Sequence, residues 1–197
     1  MYEGIALNDF KPGKADGTKN TGSFLVKEGW TPAPNKDDLQ KLIDVANYSS
    51  SLAWWNGMAK VTDRSQLIRM WAVENFVGHW DGYSGPLANN YFIRSNTTGK
   101  FVMLPWGTDQ TFGENRQTSV LLDDYFFPMD KPQVGFPWVQ QAFKKPVMDR
   151  GLLFRRCLSY TPCKVEYLTQ LKAVSLKVTS MKLVASMKTA STVIAPY

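Results

Sequence analysis

The sequence predicts an α+β fold in which short strands come first, helices dominate afterwards, and one β-hairpin interrupts the helices. Three observations support this class. Short apolar segments alternate with glycine- and lysine-rich turns over residues 1–33. Apolar residues then recur at helical spacing, most regularly over residues 64–77. Two strand-like segments, Tyr91–Arg94 and Phe101–Leu104, are joined by a turn at Gly99.

The N-terminal region is predicted to form short strands. They are expected within Gly4–Leu7, Lys11–Gly22 and Ser23–Val26. Pro32 and Pro34 then end the region, because proline has no amide hydrogen for a strand ladder.

The first helix is predicted to begin after Asn35. Asn35 is a suitable capping residue, and Asp37 and Asp38 suit the positive end of the helix dipole. Four apolar residues then fall on one face: Leu39, Leu42, Ile43 and Ala46.

Later helices follow from the same spacing. Asp63 with Gln66 three residues on resembles a capping box that begins the helix over residues 64–77. The C-terminal third is predicted to be helical over Val139–Phe143, Val147–Leu158 and a long amphipathic stretch reaching Ala185.

Composition indicates one folded domain or a large piece of one. The chain has 197 residues, of which 44% are hydrophobic and 13% aromatic, and such a content excludes a disordered chain. The sequence has no run of about 18 apolar residues, so no membrane-spanning helix is predicted. No signal peptide is visible after Met1, so we expect an intracellular protein or a chain whose beginning is missing.

Basic charge concentrates towards the C-terminus. Residues 131–197 hold 11 of the 23 lysines and arginines but 2 of the 17 acidic residues. Such a region attracts phosphates, nucleic acid or anionic surfaces. However, the lysines are spread along an amphipathic pattern, which is typical of a solvated helix face, and no nucleic-acid-binding motif is present. We therefore expect no nucleic-acid partner.

The two cysteines leave two interpretations open. Cys157 and Cys163 lack the spacing of a zinc site, and Pro162 between them suits a turn, so they either form a short-loop disulfide or remain free. Two glycosylation sequons, at Asn47 and Asn96, are typical of a secreted eukaryotic protein, although such triplets also arise by chance.

Polar residues around the hairpin have the order used for phosphoryl transfer. Asp81 precedes the hairpin in a loop, an asparagine follows at 89 or 90, and Asp109 stands just past the second strand. In kinases a loop aspartate accepts the proton of the substrate hydroxyl or orients that hydroxyl, while asparagine and aspartate oxygens hold magnesium. Structural roles are the alternatives: Asp81 as a cap, Asn90 at a strand entry, Asp109 in a turn with Thr111.

The same stretch resembles the CotH kinase family, the atypical protein kinases related to spore coat protein H. In one-letter code the motifs that carry the resemblance are ENFVGHWDGY at 74–83, NYFI at 90–93, GKF at 99–101 and LPWGTDQTFG at 104–113. The resemblance is strong over residues 60–115 and extends over most of the remaining chain.

The resemblance implies an atypical protein-kinase-like fold. Residues 1–35 would be the remnant of an N-terminal β-rich lobe, and residues 36–197 a mainly helical C-terminal lobe that carries a catalytic β-hairpin. No residue over 1–22 matches the nucleotide-binding lysine of such a lobe, so we interpret the chain as N-terminally truncated.

The resemblance also assigns roles to residues. Asp81 would be the catalytic aspartate, with Asn90 and Asp109 as ligands of Mg²⁺ or Mn²⁺ and ATP as phosphate donor. The family has a further metal-binding aspartate where this chain has Gly107, which offers no side-chain oxygen.

Two main functions and one minor alternative follow. The first is phosphorylation of Ser/Thr in secreted or coat proteins, which places the protein outside the cell, at the cell surface or in a spore coat. The second is a non-catalytic pseudokinase that binds a surface protein partner, as adhesins of this family do. A sugar-binding module has little support, since Trp80 and Trp106 are expected to be core residues.

Overall fold

The computed structural model describes residues 1–4, 9–10, 12, 24–26, 36–79, 81–85, 91–95, 97–108, 111, 133–134, 147–148, 150–182, 185 and 188. The helices are α1 (Asp37–Ala46), α2 (Ser51–Val61), α3 (Arg64–Phe76), α4 (Leu152–Ser159) and α5 (Thr161–Ser180). The strands are β1 (Tyr2–Gly4), β2 (Phe24–Val26), β3 (Tyr91–Ser95), β4 (Phe101–Pro105), β5 (Gln133–Val134) and β6 (Val147–Met148). This mixture of helices and short strands agrees with the predicted α+β class.

Four strands form one antiparallel sheet in the order β2-β1-β3-β4. Tyr2 of β1 lies opposite Val26 on one side and Ile93 on the other. Strands β3 and β4 form the predicted hairpin, with Phe92 opposite Leu104. The N-terminal strands and the hairpin therefore share a sheet, while the division of the chain at residue 35 into two lobes stays a prediction.

The start of α3 is bound to the edge strand β4. Asp63 caps α3 by accepting a hydrogen bond from the Gln66 amide at 3.1 Å, as the capping pattern predicts. The Gln66 side chain does not reach back to the cap, because it pairs with the Met103 backbone instead. Its Nε2 donates to the Met103 carbonyl at 2.6 Å, and its Oε1 accepts from the Met103 amide at 3.1 Å. The hairpin is thus fixed to the helix that leads into the Asp81 segment.

Helix α2 is an element that the sequence pattern did not reveal. Ser50 caps it by accepting from the Ala53 amide at 3.3 Å, and Trp54 and Met58 bury one face. Gly57 allows close packing on α1, because a Cβ there would lie 2.9 Å from a Val45 methyl group.

The first two helices predicted from the sequence, after Asn35 and over residues 64–77, are confirmed by α1 and α3. Helix α1 buries the expected face: Leu39, Leu42, Ile43 and Ala46. The expected cap Asn35 and the predicted helix Val139–Phe143 lie outside the described residues.

The prediction of one helix over Val147–Leu158 is wrong at its beginning. Val147 and Met148 form β6 and pair with β5, and the helix begins only at Leu152, after Gly151. A β-branched residue such as Val147 suits a strand, and a glycine such as Gly151 is unfavourable in a helix interior. The long helix that follows is present as α5, but it ends at Ser180 with a turn at residues 181–182, before the predicted Ala185.

The core joins aromatic rings from the helices and the sheet. Phe154 of α4 lies 5.7 Å from the Trp71 ring of α3 and 5.3 Å from the Tyr167 ring of α5.

Cys157 and Cys163 form a disulfide across the α4–α5 junction, which decides the alternative left open by the sequence. Among the described helices, none combines the length and hydropathy of a membrane-crossing segment.

Candidate functional site

The Asp81 loop, residues 78–85, begins where α3 ends. Gly78 has a φ of 65°, in the left-handed region that favours glycine. The His79 amide donates to the Glu74 carbonyl at 2.8 Å and the Gly78 amide to the Asn75 carbonyl at 3.3 Å. This pair of bonds is a Schellman motif, which turns the chain back over the last turn of α3. Asp81 follows in a buried position, with 7% of its surface exposed.

The Glu74 side chain holds the far end of the Asp81 loop. Its Oε2 accepts from the Ser84 hydroxyl at 2.6 Å and from the Ser84 amide at 3.0 Å. Its Oε1 accepts from the Tyr83 amide at 3.3 Å. Burial raises the pKa of the Glu74 carboxyl above its usual range, and the hydrogen bonds from Ser84 and Tyr83 oppose that rise.

His79 connects the loop to the segment after β4. Its Nδ1 lies 3.8 Å from Glu74 Oε1, and its Nε2 lies 3.2 Å from the Gly107 carbonyl oxygen. Because a carbonyl can only accept, Nε2 carries the proton in this hydrogen bond. Gly107 has a φ of 66°, so its backbone also lies in the left-handed region.

Tyr83 and Asp9 fix the loop to α4. The Tyr83 hydroxyl donates to Asp9 Oδ1 at 3.0 Å and accepts from the Leu153 amide at 3.0 Å. Asp9 Oδ2 accepts from the Leu152 amide at 2.7 Å. These oxygens satisfy the first amides of α4, which Gly151 at the N-cap position has no side chain to reach.

The Tyr83 hydroxyl remains protonated in this network. Burial raises the pKa of Tyr83 well above its ordinary value, and the nearby Asp9 carboxylate raises it further. The pKa of Tyr91 is raised for the same two reasons. Their ring centroids lie 4.7 Å apart. At physiological pH Tyr83 therefore serves as a neutral hydrogen-bonding group and Tyr91 as a neutral ring packed against it.

The structure describes Asp81 but not the other two predicted site residues. Asn90 and Asp109 lie outside the described residues, so their roles as metal ligands stay predictions. Within the part of the chain that the structure describes, no three His, Cys, Asp or Glu side chains are grouped to hold a metal ion.

The exposure of Trp106 contradicts one expectation from the sequence. It was expected in the core, but 55% of its surface is exposed. It follows Pro105, the last residue of the edge strand β4, and so stands past the end of the sheet. Trp80 lies outside the described residues.

Sequence reasoning assigned no role to Glu74 or Asp9. Glu74 did carry a signal, because it stands three and four residues after Trp71 and Met70, both on the buried side of α3. An acidic residue in line with buried apolar ones indicates a carboxyl with hydrogen-bond partners. Asp9 carried none, since its partner Leu152 is 143 residues away in the sequence.

The comparison with known families agrees with this arrangement. No curated protein matches the chain. Residues 4–175 match the family described as CotH kinase protein, a span that includes β2, the β3–β4 hairpin, the Asp81 loop, helices α1 to α4 and most of α5. Because the match covers far more than half of the 197 residues, this chain belongs to the CotH kinase family.

Proposed function

We propose that this chain is the kinase-like part of an ATP- and divalent-metal-dependent protein kinase that phosphorylates Ser/Thr hydroxyls in secreted or coat proteins. The observation that supports it is the placement of Asp81 on a buried loop, which hydrogen bonds from Tyr83 to Glu74 and to Asp9 hold in place. In this role the Asp81 carboxylate orients the substrate hydroxyl and receives its proton as the hydroxyl oxygen attacks the γ-phosphorus. The bond from the γ-phosphorus to the oxygen bridging it to the β-phosphate breaks, and ADP leaves.

The residues proposed as metal ligands have suitable chemistry. Mg²⁺ prefers oxygen donors, and Asn90 and Asp109 supply an amide oxygen and a carboxylate. A metal held there would neutralise charge on the ATP phosphates. Gly107 supplies no side-chain oxygen, so the ligand set rests on fewer carboxylates than the family pattern implies.

The test is phosphoryl transfer from radiolabelled ATP, with Mg²⁺ or Mn²⁺, to a Ser/Thr-containing protein such as casein and to the chain itself. We expect Asp81→Asn to reduce transfer by about 100-fold or more, because the amide cannot accept the proton. Asp44→Asn is the matched control, since Asp44 is an exposed residue of α1. Transfer that is equal in the native chain and in Asp81→Asn would refute the proposal.

A second candidate function is a non-catalytic surface protein that binds a protein partner. The left-handed backbone of Gly107 and its carbonyl contact with His79 favour it, because this turn is built around a glycine where the family has a metal-binding aspartate.

Calorimetry of ATP binding, with Mg²⁺ or Mn²⁺, separates the two functions. The samples are the native chain, Gly107→Asp and Gly107→Ala, where the alanine tests backbone strain at a φ of 66° without adding a carboxylate. Binding by the native chain supports the kinase. Binding only by Gly107→Asp identifies a degenerate nucleotide site, and binding by none of the three supports the non-catalytic function.

We also propose that the protein is secreted or displayed at a cell surface or spore coat. The Cys157–Cys163 disulfide supports an oxidising compartment. Of the two sequons, Asn47 is already engaged, since its Nδ2 donates to the Phe10 and Ile43 carbonyls at 2.7 Å each. Thiol counting on protein purified from its native source tests the compartment, because two free thiols would contradict it.

A further inference from the structure

Glu74 is a buried carboxyl group whose hydrogen-bond donors all come from the Asp81 loop, as far as the described residues show. Only 2% of its surface is exposed. Its three donors belong to Tyr83 and Ser84, while the nearest basic side chain, His79, lies 3.8 Å away. Removing a carboxyl from water is costly, and an apolar residue would fill this place in α3 without that cost. The benefit of the carboxyl is therefore the geometry that it imposes on the loop.

We infer that Glu74 is a positioning residue, which sets the place of Asp81 for phosphoryl transfer without touching the substrate. The inference rests on the proposed kinase function. Its basis is the clamping of the loop on both sides of Asp81 by one residue: the Glu74 carbonyl binds His79, and the Glu74 carboxyl binds Tyr83 and Ser84.

Gly82 shows how closely the loop follows the carboxyl. A Cβ at this position would lie 2.7 Å from Glu74 Oε1 and 2.7 Å from His79 Nδ1, closer than carbon approaches such atoms in folded proteins. The backbone next to Asp81 is thus in direct contact with both side chains, and a displaced carboxyl would move the chain at Asp81 with it.

A second contact extends this control to the segment after β4. His79, beside the carboxyl, donates from Nε2 to the Gly107 carbonyl at 3.2 Å. Asp109 is two residues further along the chain. Glu74 therefore orders the loop with the proposed base, and through His79 it is linked to the strand end that leads to a proposed metal ligand.

The test compares Glu74→Gln with the native chain. Glutamine keeps the size of the side chain but turns an NH₂ group towards donors that need an acceptor. Ser84→Ala, which removes one donor and leaves the carboxyl, is the milder second variant. Leu42→Ala is the control, because Leu42 is a buried residue of α1 and its loss lowers stability without touching the loop.

Two readouts are needed. Amide hydrogen exchange is expected to accelerate about tenfold or more at Tyr83 and Ser84 in Glu74→Gln, with the α5 amides unchanged. In transfer assays kcat is expected to fall about 10- to 100-fold while KM for ATP changes little, since a misplaced base acts on the chemical step. Ser84→Ala should give smaller changes in the same direction, and Leu42→Ala should leave both readouts at native values.

Three results would overturn the inference. Native exchange at Tyr83 and Ser84 in Glu74→Gln would show that the carboxyl does not order the loop. Faster exchange with native kcat would limit Glu74 to a structural role. An inactive native chain would remove the proposed function and this inference together, whereas either of the first two results with an active native chain would remove the inference alone.

Discussion

The helical framework, α1 to α5, and the Asp81 loop both contain buried side chains, but different interactions hold those side chains in place. The framework packs rings and aliphatic chains, such as Trp71 against Phe154, and a disulfide joins its last two helices. The loop instead surrounds the Glu74 carboxyl with directional hydrogen bonds. Apolar packing tolerates swaps that conserve volume, whereas a buried polar network loses its geometry when one acceptor is replaced. We therefore expect framework changes to alter stability, and loop changes to alter the position of Asp81.

Phe154→Ala is expected to cause the largest loss of stability. Phe154 is fully buried between the Trp71 and Tyr167 rings, and removing such a ring lowers the free energy of unfolding by about 3–5 kcal/mol. Urea unfolding followed by circular dichroism measures the loss. Phe154→Leu, which retains most of the volume, should lose less than half as much. Equal stability of Phe154→Ala and the native chain would contradict this view of the framework.

Removal of the disulfide is expected to have the next largest effect. Cys157 and Cys163 are six residues apart, and closing so short a loop restricts the unfolded chain by about 2 kcal/mol. The double variant Cys157→Ser, Cys163→Ser should therefore unfold at a lower urea concentration, with α4 and α5 still folded at zero urea. Native protein treated with a reductant is the control and should shift similarly. Hydrogen exchange at Tyr83 and Ser84 should remain native at zero urea, since the loop bonds do not involve the cysteines.

Arg156→Lys is expected to give a smaller loss within the framework. The Arg156 guanidinium donates to the Ala46 carbonyl at 2.8 Å and to the Tyr48 carbonyl at 2.6 Å, at the end of α1. Lysine cannot present two nitrogens in this geometry, so one carbonyl is left to water and stability falls by about 1 kcal/mol. Arg69→Lys is the control because Arg69 is exposed on α3. Equal losses for the two variants would show that the paired contact adds nothing.

Features set by local spacing were predictable, and those set by distant contacts were not. The apolar stripe and Asp63 predicted α3, and a turn between two strand-like segments predicted the β3–β4 hairpin. The break before α4 was missed because pairing with β5 holds Val147 in a strand. The motif around Asp81 drew attention to a loop that the structure shows to be buried and hydrogen-bonded, while the role of Asp81 stays a prediction. Its support by Asp9, however, depends on a contact across most of the chain length.

Glu74 also predicts a pH dependence that separates the loop from the framework. Burial raises the pKa of its carboxyl above the ordinary 4.5, so the folded protein holds this proton more tightly than the unfolded chain. The contribution of Glu74 to stability is then complete below about pH 4.5 and is lost as the pH rises through the folded-state pKa. This change in stability is expected to be smaller than those of the Phe154, cysteine and Arg156 variants, because hydrogen bonds from Ser84 and Tyr83 oppose the cost of burying Glu74.

The measurement is the free energy of unfolding against pH for the native chain and for Glu74→Gln. His79 lies 3.8 Å from the carboxyl, and it is present in both proteins, as are the other titratable residues. The difference between the two curves therefore reports mainly on Glu74. We expect the native curve to fall relative to the Glu74→Gln curve as the pH increases above 4.5. A difference that changes in the opposite direction would mean that the hydrogen bonds from the loop lower the pKa of Glu74 more than burial raises it. Glu74 would then be a carboxylate that these hydrogen bonds stabilise in its charged form.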